Sequence, residues 1–175
     1  MSESVIPSYV DTRKVFQSEG KLIGSIGLDR LTRFRELLAN DNAEVEVELE
    51  FSLNRSKQQL ITGEVRAKVE VACQRCLEPV LIRFSDNIAL ALVRRESDVA
   101  KLEKSLDPWM VEDHKLSLAE LVEEQLLLGM PIVSTHEDVN CLTRLEYEKQ
   151  HLDAPGEEEP AQGKNPFAVL KTLKD

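Results

Sequence analysis

The 175-residue chain carries 32 Asp and Glu against 22 Lys and Arg, a formal net charge of -10. That balance argues against an indiscriminate nucleic-acid coat, whose affinity comes from Lys and Arg that release counterions from phosphate. The length suits one ordinary domain plus a tail. No run reaches the roughly 18 apolar residues of a membrane span, and the opening residues lack a basic-then-apolar leader, so the chain reads as cytoplasmic with no membrane partner.

Along the chain, Leu28-Asp29-Arg30-Leu31 opens the first expected helix, near residues 29–39, with Asp29 as N-cap and Leu31, Phe34, Leu37 and Leu38 as its apolar stripe. Asn40-Asp41-Asn42 stops it. From Glu44, the residues Val45, Val47, Leu49, Phe51 and Leu53 alternate with Glu44, Glu46, Glu48, Glu50 and Ser52. This period of two marks a strand with one buried and one acidic face. A second alternation runs through Val65, Ala67, Val69 and Val71, with Glu64, Arg66, Lys68 and Glu70 opposite. Glu of the first strand facing Arg66 and Lys68 favours antiparallel pairing. A third strand follows Pro79, through Val80, Ile82, Phe84, Ile88, Leu90 and Leu92, with a bulge or bend expected at Asp86. Residues 97–115, which include the only tryptophan, Trp109, read as a long connection with a helical turn.

Ser117-Leu118-Ala119-Glu120 has the form of a capping box, with Leu116 and Leu121 as a hydrophobic staple, and opens a helix over 117–129 that Gly129 and Pro131 end. Residues 153–164, rich in Pro, Gly and Glu, have the composition of a flexible acidic linker. Asn165-Pro166 then starts a short amphipathic helix over 165–175, with Phe167, Leu170 and Leu173 on one face. The expected fold class is α+β: an antiparallel β-meander at roughly residues 44–95, covered by two or three helices, within a single domain of residues 1–152.

Cys73-Gln74-Arg75-Cys76 falls between the second and third strands, in a hairpin turn. Two thiolates at this spacing across a turn chelate one tetrahedral ion, and His136 and Cys141 offer the second pair, giving a Cys3His set suited to zinc. The alternatives are that Cys73 completes its strand's apolar parity, with Cys76 and Cys141 as ordinary reduced thiols, or that the pair has a redox role. Within the acidic chain, residues 55–95 hold 8 Lys and Arg against 4 Asp and Glu. Arg66, Lys68, Arg75, Arg83, Arg94 and Arg95 belong to this basic stretch, and Arg66, Lys68, Arg75 and Arg83 are its candidate RNA or phosphate contacts. They serve equally as cross-strand partners of the Glu-rich strand. Phe167, Leu170 and Leu173 are candidate partner-binding residues, or dock back on their own domain. No Gly-rich phosphate loop, G-x-S-x-G or H-E-x-x-H occurs, which argues against an enzyme.

VEVACQRCLEPV at 69–80, LSLAELVEEQLLLGMPIVSTHEDVNC at 116–141 and KNPFAVLKTLK at 164–174, in this order, resemble the YceD family, the large ribosomal RNA subunit accumulation proteins. The resemblance implies a bacterial cytoplasmic ribosome biogenesis factor acting in synthesis, processing or stability of large-subunit rRNA. Its implied partner is that rRNA or its precursor particle. A basic ribosomal protein is a further candidate, and no small-molecule substrate is implied.

Overall fold

In the computed structural model the described residues are 4–144. The end of the expected domain at 152, the linker 153–164 and the helix 165–175 lie outside the described residues.

In chain order the elements are β1 (Tyr9–Asp11), α1 (Thr12–Gln17), β2 (Lys21–Ser25), a 3-10 turn (Leu28–Arg30), α2 (Thr32–Arg35), β3 (Ala43–Leu53), β4 (Gln59–Ala72) and β5 (Pro79–Val93). They continue with α3 (Glu96–Val99), β6 (Asp107–Met110), β7 (Lys115–Ser117), α4 (Leu118–Gly129) and a second 3-10 turn (Val139–Arg144). The main sheet has the order β2-β3-β4-β5-β6, and β1 and β7 form a separate pair. The first four strands are an antiparallel meander; β6 joins β5 in parallel. The fold is thus α+β.

The alternation of charge and apolarity sets the register. Glu44 lies opposite Lys68 and Glu46 opposite Arg66, which aligns unlike charges on one face. A slip of one residue would turn Val45, Val47, Leu49 and Phe51 to water. These four are buried. They meet α1 through an edge-to-face contact of Phe16 and Phe51, with ring centroids 5.4 Å apart. Helix α4 packs on β4 and β5, burying Leu118, Leu121, Val122 and Leu126. Its start is the expected one: the Glu120 amide donates to Ser117 Oγ at 3.3 Å.

Three expectations need correction. The first helix is shorter than residues 29–39: Asp29 belongs to the 3-10 turn, and α2 has only four residues. No local side chain caps α2. The buried carboxylate of Glu123 on α4 does so instead, accepting from the Arg33 and Phe34 amides at 2.8 and 3.2 Å.

No bulge forms at Asp86, which sits in unbroken register opposite Val65. It faces α4, where Gln125 Nε2 donates to its carboxylate at 2.7 Å, so a polar inward residue is satisfied without breaking the ladder. The connection after β5 does contain the helical turn α3, but it also supplies β6 and β7. Trp109 lies in β6, opposite Leu92.

Candidate metal centre and charged faces

The antiparallel β4 and β5 meet in a tight knuckle. Its backbone closes through Leu77 N–H to Cys73 O at 2.8 Å and Cys73 N–H to Glu78 O at 2.9 Å. Leu77 takes a left-handed φ of 64°, a conformation costly for a branched residue and held by the turn. The geometry gathers Cys73 and Cys76 on the inner side of the turn, where both are buried.

The segment after α4 returns to this knuckle and is clamped there. The Gln74 amide donates to Ser134 O at 2.9 Å, and its side chain donates to Ile132 O at 3.0 Å. Arg75 donates to the backbone carbonyls of His136, Asp138 and Val139. These contacts deliver His136 to the cysteines, with Nδ1 3.3 Å from Cys76 Sγ. Its other ring nitrogen, Nε2, lies 3.1 Å from Pro79 O. A carbonyl oxygen only accepts, so Nε2 is the donor there, and in the neutral ring Nδ1 is the nitrogen whose lone pair faces the thiols.

Cys141, in the second 3-10 turn, is also buried, and the donor atoms of Cys73, Cys76, His136 and Cys141 all lie within 4.8 Å of one another. A tetrahedral ion with zinc–sulfur bonds of about 2.3 Å spaces its sulfurs about 3.8 Å apart. Contraction by ~1 Å at most therefore brings the set to bonding geometry. Burial pushes the Cys73 thiol up, but the amides of Cys76, Arg75 and His136 and the side chain of Cys76 outweigh it and lower the pKa from 9.0 to about 5. A thiolate is the ligand form. The residues present fit a zinc ion.

The four basic candidates are not alike. Arg66 and Lys68 on β4 and Arg83 on β5 share the sheet face turned away from the helices, Lys68 lying between Glu44 and Arg83. With Glu44 and Glu46 they line a shallow depression of about 470 Å³. Lys68 pairs with Glu44 at 2.8 Å, and Arg66 pairs with Glu64. Lys21, on β2, bridges Glu48 and Glu50 on the same face, and these contacts raise its pKa to about 12. Arg75 stands apart, its guanidinium bound to backbone carbonyls at the knuckle. Phe167, Leu170 and Leu173 lie outside the described residues.

Sequence reasoning did not find the Pro79 carbonyl behind His136, nor the clamping role of Arg75. Both act through backbone atoms, which leave no pattern in residue type. Among the described residues no helix is long and apolar enough to cross a membrane.

Fold and site together define an α+β protein with a Cys3His constellation at a β-hairpin tip. The family model described as large ribosomal RNA subunit accumulation protein YceD matches residues 61–174, which include all four candidate ligands, and the chain belongs to this family. A curated relative, the large ribosomal RNA subunit accumulation protein YceD of Haemophilus influenzae, is 27% identical over 175 residues, covering 99% of each chain. No solved structure matches.

Proposed function

We propose that the chain is a non-enzymatic, cytoplasmic adaptor of assembling large ribosomal subunits, supporting the synthesis, processing or stability of their rRNA. The family supplies the setting. The observation that supports the mechanism is the donor set: four side-chain donors lie within 4.8 Å of one another, enough to fill every position of a tetrahedral ion. Structural zinc sites are closed in this way, whereas catalytic ones keep a position open for water or substrate. Zinc held by Cys73, Cys76, His136 and Cys141 would lock the hairpin tip to the segment that carries His136, and its binding energy would add to folding.

The open sheet face favours a basic ribosomal protein as the direct partner. It presents Glu44, Glu46, Glu48, Glu50, Glu64 and Glu70 against Lys21, Arg66, Lys68 and Arg83. Complementary charge of this kind speeds encounter and disfavours wrong partners. In this reading Arg66 and Lys68 serve the ladder, and Phe167, Leu170 and Leu173 add an apolar contact to the same partner. The competing reading, direct rRNA contact through Arg66, Lys68 and Arg83, requires RNA binding that their change to Glu abolishes.

The test is complementation. Cells lacking the chain should show a lowered ratio of large- to small-subunit rRNA. Wild type should restore it, and a variant with Glu46 and Glu48 changed to Lys should not. Full restoration by that variant would reject the acidic face as the working surface.

A further inference from the structure

At the end of the sheet remote from the cysteines, the β3–β4 turn and the exit from β5 enclose a second cleft, of about 640 Å³. Fourteen residues of β4 separate it from the knuckle, roughly 45 Å at the rise of an extended strand. Its lining combines apolar side chains from the strand ends with polar ones, and its cations outnumber its carboxylates by one. Lys57, from the turn, and Arg94, just beyond β5, face it together with Gln58 and Gln59. Both cations are exposed, and neither makes an ion pair among the described residues.

Among the described residues Arg94 bonds only His114 Nδ1, at 3.1 Å, which uses one of its five N–H groups. Two carboxylates also line the cleft: Asp98 is neutralised by Lys101 at 2.8 Å, which leaves Glu103. Exposed Arg55 and Arg95 flank the lining residues in sequence. On the open sheet face, by contrast, Lys21, Arg66 and Lys68 are each matched to a carboxylate, and Arg83 alone of its four cations makes no ion pair among the described residues.

We propose that this cleft binds the phosphodiester backbone of RNA, with Lys57 and Arg94 on phosphates and Gln58 and Gln59 on phosphate or sugar oxygens. Unmatched cations beside side-chain amides are the equipment of backbone contact, which positions a nucleic acid without reading its bases. No aromatic side chain lines the cleft, so stacking contributes nothing and binding is sequence-tolerant. The inference rests on the rRNA-linked reading above and gives the adaptor two ends: one that holds RNA and a face that holds protein.

The experiment is a fluorescence-anisotropy titration of the full chain with a labelled single-stranded U12 RNA across a salt series. Wild type should bind. Changing Lys57 and Arg94 to Gln together should weaken binding about tenfold or more and flatten the log K against log salt slope by ~1.4, at about 0.7 per phosphate contact for single strands. Changing Arg66 and Arg83 to Gln should leave affinity and slope unchanged. No binding by wild type, unchanged affinity in the cleft variant, or an equal loss in the face variant would each overturn the proposal. Titration with an octalysine peptide separates this from the adaptor reading: the Glu46 and Glu48 to Lys variant should lose the peptide, and the cleft variant should keep it.

Discussion

Glu123, a residue only 6% exposed, joins two distant parts of the chain, because its carboxylate is the acceptor for the amides of Arg33 and Phe34. Its second oxygen accepts from Arg33 Nε at 3.0 Å. Truncation in Glu123→Ala would leave those amides without an acceptor in a closed site. The variant should therefore lose about 2–4 kcal/mol of stability in urea denaturation, and Glu123→Gln, which keeps one oxygen, should lose less. An unchanged midpoint would show that the cap is dispensable. Cys73 and Cys76 were legible from spacing, since a C-x-x-C between two strands predicts a turn that gathers both thiols, and His136 and Cys141 were the available second pair of donors. Glu123 was not, because the cap acts across 90 residues and its own sequence neighbourhood shows only an amphipathic helix. For the ligands the expectation is ~1 zinc per purified chain, lost in Cys73→Ser together with part of the thermal stability, as metal binding couples to folding. Metal-free protein of equal stability would end the zinc reading.

Three long strands carry the architecture, and they were also the legible part. β3, β4 and β5 have 11, 14 and 15 residues, long enough for a period of two to stand out. β1, β2, β6 and β7 have three to five, too few for periodicity to separate a strand from a loop. The bulge expected at Asp86 is replaced by a partner, Gln125, which sequence reasoning had no means of placing opposite it. Within β4, Gly63 lies between Leu49 and Ile88, and an added Cβ would fall 1.9 Å from the Glu48 carbonyl oxygen. Close approach of neighbouring strands therefore requires glycine here. Gly63→Val should cost more than about 3 kcal/mol or prevent folding. Wild-type melting behaviour in that variant would mean that β3 can move aside at little cost.

Across the whole chain, the net charge of -10 conceals how charge is arranged. The open face offers six carboxylates against four cations, and the unmatched Lys57 and Arg94 lie at the far end of the strands. A sequence count located a basic middle but could not divide it, because pairing depends on strand register and on the turn that carries Lys57. Once Lys68 and Arg66 are matched to carboxylates, the centre of the sheet no longer reads as an RNA platform. The adaptor reading then makes a whole-molecule claim, that large-subunit rRNA and basic ribosomal proteins are held at the same time and mainly by charge. The most direct measurement is a pull-down of the tagged full chain at low and high salt, with RNA and protein identified in one sample. The account predicts precursor large-subunit rRNA together with basic ribosomal proteins at low salt, both falling away at high salt as charges are screened. Recovery of neither, or of both undiminished at high salt, would contradict it.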